Sequence, residues 1–113
     1  GQFSQQTFIC ILESKKGLLE ENTLDFPLKC GKSIFKENVN LDLALEWINK
    51  AIEMFENPRF YQLRQQSLIM AANKKYLPAI NVAKESLKLS IEADNMDYVK
   101  MNKESISEWV NKL

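Results

Sequence analysis

The feature that most constrains this chain is an internal repeat with a period of 35 residues. The segment Leu-Ala-Leu-Glu-Trp-Ile-Asn-Lys-Ala-Ile-Glu-Met, which begins at Leu43, has the same apolar pattern as Pro-Ala-Ile-Asn-Val-Ala-Lys-Glu-Ser-Leu-Lys-Leu, which begins at Pro78. The offset pairs Ala44 with Ala79, Ile48 with Ala83, Ala51 with Ser86 and Ile52 with Leu87. Self-similarity at such a period is typical of stacked helical hairpins, each of which buries its apolar stripe against the next. The sequence therefore predicts an all-α fold.

The composition and net charge limit the classes of partner that we expect for a chain with this fold. The 113 residues are 45% apolar and 27% charged, as in an ordinary globular protein. Fifteen basic and fifteen acidic residues cancel, so we expect no long-range field that would gather nucleic acid or an anionic membrane. The longest apolar run, residues 8–12, has five residues, whereas a membrane span needs about 20. We therefore expect neither a nucleic-acid partner nor a membrane span.

Periodicity and capping residues predict about six helices. They are expected at residues 4–16, 25–37, 41–56 and 58–73, in a fifth helix that has Pro78 in its first turn and ends near Ala93, and at residues 97–112. Ser4, Asn40 and Asn57 are the expected N-caps, and Gly17 is the expected end of the first helix, before a connection at residues 18–24. Residues 7–12 could also form a strand, because Phe-Ile-Cys-Ile-Leu is a short β-prone run.

Gly31 stands in the middle of the second predicted helix, where it costs about 1 kcal/mol relative to alanine. Such a glycine indicates close approach by the backbone of a neighbouring helix. We expect Trp47 and Trp109 to serve the packing of the core rather than to form a ligand cage, and we place Trp47 between the two hairpins.

We interpret residues 1–113 as a single helical-repeat domain. Residues 1–24 form an N-terminal helix and connection, 25–57 the first hairpin, 58–96 the second hairpin and 97–113 a capping helix. Because the chain begins Gly-Gln-Phe rather than with Met, we expect a processed or excised product whose Gly1 is a remnant of expression.

Side-chain chemistry argues against an enzyme. The sequence has no histidine, which removes the commonest general base and most catalytic zinc sites. No phosphate-binding loop or metalloprotease motif is present, so we expect no catalytic, cofactor-binding or metal-binding residues. Cys10 and Cys30 have no metal-like spacing. We expect them to be free buried thiols, and the alternative is a disulfide in an oxidising compartment.

Two resemblances suggest a function. The hairpin at residues 58–93 resembles a tetratricopeptide repeat, whose small–large pattern is matched by Leu63, Tyr76, Ala79, Ala83 and Leu87. Residues 25–113 also resemble the helical C-terminal segment of a bacterial secreted family of unknown function, through the motifs at residues 35–48 and 97–109. In that family the segment follows a β-rich domain and a secretion signal. This resemblance implies a fragment or shortened relative with a periplasmic or secreted location, and it leaves out residues 1–24.

The tetratricopeptide resemblance also implies a binding surface. It places a set of aromatic and basic residues on the concave face, where the family clamps the carboxylates of a bound peptide. The set is Phe26, Lys29, Lys36, Tyr61 and Arg64, joined by Lys100 and Lys103 if the last helix continues the superhelix. The alternative is an ordinary solvated face with snorkelling lysines.

We therefore expect a non-enzymatic module that binds a protein or an acidic peptide. The alternative is an accessory or oligomerising helical segment of a larger secreted bacterial protein, with no ligand of its own.

Overall fold

The computed structural model describes residues 3–16 and 25–113, and every regular element among them is an α-helix. The helices are α1 (Gln5–Ser14), α2 (Asp25–Lys36), α3 (Leu41–Met54), α4 (Phe60–Ala72), α5 (Tyr76–Glu92) and α6 (Met96–Val110). The predicted all-α fold is confirmed, and residues 7–12 are helical rather than extended. Gly1, the expected stop at Gly17 and the connection at residues 18–24 lie outside the described residues.

The chain divides into two compact units, Gly1–Glu56 and Asn57–Leu113. The first unit contains α1 to α3, and the second contains α4 to α6. The boundary falls one residue before the predicted junction between the two hairpins. In the first unit α2 packs closely on α3 and α1 lies more lightly on α2, whereas in the second unit α5 packs on both α4 and α6.

The core of the first unit lies between α2 and α3. Ile34, Trp47 and Ile48 are completely buried there. A Cβ atom added at Gly31 would lie 3.1 Å from the backbone nitrogen of Ile48 and 3.3 Å from its Cα. The close helix approach predicted from Gly31 is therefore confirmed, and it is the backbone of α3 that approaches.

The second unit repeats this arrangement one period later. Its core contains Ala79, Ile80 and Ala83 of α5 together with Trp109 of α6. Three pairs of repeat-related positions with small or β-branched side chains are completely buried: Ala44 with Ala79, Ile48 with Ala83, and Ala51 with Ser86. The 35-residue period therefore describes two hairpins with equivalent core positions.

Three of the four described turns between helices share one backbone conformation, the exception being the connection between α3 and α4. Each of the three contains a non-glycine residue with positive φ: Asn38 (53°), Lys74 (62°) and Asp94 (56°). In each, the N–H of the next residue donates to a carbonyl five residues earlier: Val39 to Ile34 (3.2 Å), Lys75 to Met70 (2.9 Å) and Asn95 to Ser90 (3.0 Å). This six-to-one bond is the Schellman ending of a helix, which usually uses glycine at the left-handed position. The repeat thus extends to the turns.

Two predicted boundaries are corrected at the junction between the units. α3 ends at Met54, because Phe55 is already extended (φ −86°, ψ 129°). α4 begins at Phe60, and its N-cap is Arg59 rather than Asn57. The backbone N–H of Arg59 donates to Oε1 of Gln62 at 2.9 Å, one of the bonds of a capping box. That bond fixes the start of α4 two residues after Pro58.

Replacing Gly31 with alanine tests the close approach of α2 and α3. The added methyl group gains about 1 kcal/mol in helix propensity, but separating two packed backbones costs about 1–3 kcal/mol. We expect a net loss of about 1 kcal/mol in the free energy of unfolding, measured by denaturation followed by circular dichroism. The control is Lys32→Ala at the exposed neighbouring position, which should change stability by less than about 0.5 kcal/mol. Stabilisation by Gly31→Ala would contradict the close approach.

Replacing Lys74 with glycine tests the shared turn. A side chain in the left-handed region costs about 1–2 kcal/mol, and glycine avoids this cost. Part of the resulting gain in stability is offset by the greater freedom of glycine in the unfolded chain. We expect Lys74→Gly to raise the free energy of unfolding by about 0.5–1 kcal/mol. Lys75→Gly is the matched control, because the φ of Lys75 is −94° and glycine gains nothing there. Equal effects of the two substitutions would argue against the left-handed turn.

Candidate functional site

Two of the predicted binding residues, Lys29 and Lys36, lie together on the surface of the first unit. Both are exposed on α2 and line a shallow depression of about 370 Å³. We call it the lysine depression; its lining is Ser4 and Gln6 on the α1 side and Lys29, Lys32, Ser33, Lys36 and Glu37 on the α2 side. Lys32 was not predicted as a binding residue. Its spacing from Lys29 and Lys36 is the signal that could have found it.

Helix geometry explains why these lysines share one surface. Pro27, Cys30, Gly31 and Ile34 form the buried face of α2. At about 100° per residue, positions 29, 32 and 36 fall on the opposite face. A rise of about 1.5 Å per residue places the first and last of them about 10 Å apart along the axis. α2 therefore presents an apolar face to α3 and a row of positive charge to solvent.

Ion pairs with acidic side chains would neutralise the charges of this row. In the described part of the chain, Lys29, Lys32 and Lys36 form no ion pair. The ion pairs found there are Lys16 with Glu13 (3.5 Å) and Lys100 with Glu104 (4.0 Å), each between residues three or four positions apart.

Among the described residues, Glu37 is the one acidic residue that lines the depression, and its carboxylate is held by hydrogen bonds from the α1 side. Oε1 accepts a bond from the Ser4 backbone N–H at 2.9 Å. Oε2 accepts bonds from the Ser4 hydroxyl at 2.7 Å and the Thr7 hydroxyl at 2.8 Å. The Ser33 hydroxyl lies 3.4 Å from Oε2 and also contacts the Thr7 hydroxyl. These bonds, led by that of the Ser4 side chain, hold the pKa of Glu37 below its ordinary value of 4.5.

A disulfide joins the same two helices. Cys10 of α1 and Cys30 of α2 are bonded, with their Cα atoms 5.4 Å apart, and both are completely buried. The prediction of free thiols was therefore wrong. It assumed that nothing holds the first helix against the second, whereas the Glu37 hydrogen bonds and the disulfide both do so. The Cα separation lies within the usual range for a disulfide, about 4.4–6.8 Å.

Two aromatic residues of the first unit pack inside it. Trp47 is completely buried, as expected for a core residue, whereas its expected place between the two hairpins stays a prediction. Its ring meets that of Phe26 edge-on, with centroids 5.6 Å apart, and its Nε1–H donates to Ser14 Oγ at 2.8 Å. Phe26, which the tetratricopeptide resemblance placed on the concave binding face, is thus half-buried against the core tryptophan. The contacts of Trp47 seen here join α1, α2 and α3.

The predicted binding residues of the second unit lie in different surroundings. Tyr61 is exposed, and its ring packs edge-on against Phe60 with centroids 5.5 Å apart. Lys100 and Lys103 are exposed on α6. Arg64 is half-buried, and its Nη1 donates to Asn102 Oδ1 at 3.0 Å and to Ser105 Oγ at 3.3 Å. Arg64 therefore ties α4 to α6 rather than standing free for a peptide.

A buried polar network continues from Arg64 into the second unit. Asn102 is completely buried, and its amide donates to Ser86 Oγ at 2.9 Å. Ser86 Oγ donates in turn to the carbonyl of Phe60 at 2.7 Å. Burial lowers the pKa of the Arg64 guanidinium, an effect that Tyr98 and Glu104 oppose. This network joins α4, α5 and α6 through hydrogen bonds that a pattern of apolar residues does not reveal.

Comparison of the chain with protein families, with curated proteins and with solved structures finds no match. Among the described helices, none has the length and apolar character needed to cross a bilayer. Within residues 3–16 and 25–113, no group of three or more cysteine and acidic side chains is arranged to hold a metal ion.

The Glu37 carboxylate predicts a pH-dependent contribution to stability. Because its folded pKa lies below 4.5, the contribution is complete above that pH and is lost as the pH falls through the folded pKa. Glu37→Gln should therefore be less stable than the wild type at neutral pH, and the gap should narrow in acid. Thermal melts across a pH series measure it. Glu46→Gln, at an exposed position of α3, is the control. A gap that stays constant below pH 4.5 would contradict the hydrogen-bonded carboxylate.

Proposed function

We propose that this chain is a non-enzymatic module that binds acidic protein or peptide segments at the lysine depression. The observation that carries the proposal is the row of exposed lysines at positions 29, 32 and 36, which have no ion-pair partner among the described residues. The chain has no net charge. Its attraction for an acidic ligand is therefore local to this row, and salt screens it beyond about 10 Å.

The spacing of the lysines defines the ligand. A row about 10 Å long suits two or three carboxylates that project from one side of a short segment. In an extended peptide, alternate side chains lie on one side about 6.6–6.8 Å apart, so acidic residues at every second position meet neighbouring lysines. The Ser33 hydroxyl and the Gln6 amide line the same depression and can bond to the peptide backbone.

The chemistry of lysine sets the strength of binding. The ammonium group is a strongly hydrated point charge on a flexible stem, without the paired geometry with which arginine holds a carboxylate. The depression is also shallow, so the buried area is small. We therefore expect micromolar affinity, about −8 kcal/mol at most.

The disulfide supports an extracytoplasmic setting for this function. Disulfides persist in oxidising environments and are rare in the reducing cytosol. The Cys10–Cys30 bond thus agrees with the resemblance of residues 25–113 to a secreted bacterial family. We include a periplasmic or extracellular location in the proposal.

An accessory role is the second candidate, and one observation favours it. α1 and the residue before its cap expose several large apolar side chains: Phe3 (45%), Phe8 (55%), Ile9 (38%) and Leu12 (43%). An apolar surface of this kind is common where a segment attaches to another part of a protein. In this role the chain supports a larger protein and has no ligand of its own.

Binding of a labelled acidic peptide tests the proposed function. The probe is an extended peptide with glutamate at every second position, measured by fluorescence anisotropy at low salt against the same peptide with glutamine. Lys32→Ala should weaken binding about two- to fivefold, as the loss of one exposed ion pair does. Lys84→Ala, an exposed lysine of α5 in the second unit, is the matched control and should bind like the wild type.

Two results would remove the proposal. If neither peptide binds the oxidised chain, the lysine depression is an ordinary solvated surface and the accessory role remains. If Lys84→Ala weakens binding as much as Lys32→Ala does, the attraction belongs to the surface as a whole.

A further inference from the structure

Among the described residues, the contacts that hold α1 in place are chiefly covalent and polar. Of its ten residues, only Thr7 and Cys10 are buried. Of its four large apolar side chains, Phe8, Ile9 and Leu12 are exposed and Ile11 is half-buried. Burial of apolar surface, the usual source of helix docking, is therefore slight. The disulfide, the bonds from Ser4 and Thr7 to Glu37 and the bond from Trp47 to Ser14 attach this helix.

The hairpin of α2 and α3 also has core contacts of its own. Ile34, Ala44, Ile48 and Ala51 are completely buried, and the two helices approach to backbone contact at Gly31. Its turn is closed by the bond from the Val39 N–H to the Ile34 carbonyl. Release of α1 therefore leaves the row of lysines on α2 in place but removes Ser4 and Gln6 from the lysine depression.

We infer that the lysine depression binds its acidic ligand more tightly in the disulfide-bonded chain than in the reduced chain, and that the bound ligand protects the Cys10–Cys30 bond from reduction. This inference rests on the proposed function and adds its regulation. Because both cysteines are completely buried, a reducing thiolate reaches them only when α1 moves away from α2. The same movement dismantles the site.

Release of α1 weakens binding by more than the removal of Ser4 and Gln6 alone, because it also changes the hydrogen-bond partners of Glu37. In the bonded chain its carboxylate accepts hydrogen bonds from Ser4 and Thr7 of the α1 segment. When α1 leaves, the carboxylate loses these donors but stays at the end of α2, beside Lys36. It then competes with the carboxylates of the ligand for the lysines, as like charges in one site do.

The protection of the disulfide by the bound ligand follows from thermodynamic linkage. If docking of α1 strengthens ligand binding, the ligand strengthens docking of α1 by the same factor. A ligand that contacts both the α1 side and the α2 side of the lysine depression thus lowers the population of the open chain, in which the sulfurs are accessible.

The reductant in the test is a small dithiol, dithiothreitol. One of its thiolates attacks a sulfur of the Cys10–Cys30 bond and forms a mixed disulfide, which the second thiolate resolves. Two electrons and two protons pass to the two cysteine sulfurs, and the reagent leaves as a cyclic disulfide. The protein gains two hydrogen atoms as two free thiols. Alkylation then labels these thiols, and mass spectrometry detects the labelled protein.

The first measurement is the rate of this reduction in the full oxidised chain, with the glutamate peptide and with its glutamine counterpart. If only the unliganded chain opens, the glutamate peptide at ten times its dissociation constant should slow reduction about tenfold. The glutamine peptide should leave the rate unchanged.

The second measurement is peptide binding by the double variant Cys10→Ser, Cys30→Ser. Circular dichroism establishes that the helices remain, and we expect affinity to fall about fivefold or more. The reduction rates in the native chain decide the inference independently of how this variant folds.

The outcomes separate the two proposals. Slower reduction with the glutamate peptide supports the inference. If the peptide binds the oxidised chain but reduction proceeds at the same rate, the inference is overturned and the proposed function stands. If the peptide does not bind the oxidised chain, the proposed function fails and the inference fails with it.

Discussion

The structure of each unit depends on close contact between the two helices of a hairpin. Small side chains make this contact possible: Gly31 and Ala44 in the first unit, and Ala79 and Ala83 in the second. Helices that approach this closely bury a narrow stripe on each partner. In α2 that stripe is Pro27, Cys30, Gly31 and Ile34, and the opposite face is free to carry charge. The packing that fixes the fold therefore also places the lysines in one row.

Much of this organisation could be predicted from the sequence, because apolar periodicity and small residues act locally. The 35-residue period identified positions that are equivalent and buried in both hairpins, such as Ile48 and Ala83. Gly31 indicated the close approach of α3, because a glycine inside a helix is unfavourable and the close packing of a neighbouring helix compensates for that cost. Helix ends were less accurate. The start of α4 depends on the side chain of Gln62, and apolar periodicity carries no information about such a bond.

The features that could not be predicted depend on polar contacts between residues distant in sequence. Arg64 and Asn102 are 38 residues apart, and each alone resembles an ordinary surface residue of an amphipathic helix. The same holds for Ser4 and Glu37, whose bond positions α1 and with it Cys10. Without that contact in view, free thiols were the simpler expectation for two cysteines. Lys32 is a different case, since the spacing of lysines 29, 32 and 36 is visible in the sequence. It was missed because the family pattern directed attention to other positions.

The two units use a charged side chain in opposite ways. In the second unit Arg64 is half-buried and its Nη1 is bonded to Asn102 and Ser105, so this side chain stabilises a contact between helices. In the first unit Glu37 has the corresponding role between α1 and α2. Its internal bonds draw the carboxylate away from the nearby lysines, and the positive charge of the row stays available. The binding capacity we propose for the lysine depression therefore depends as much on how this acid is held as on the lysines. Since α1 supplies the donors that hold it, and the disulfide holds α1, the electrostatics of the surface and the covalent state of the core are connected.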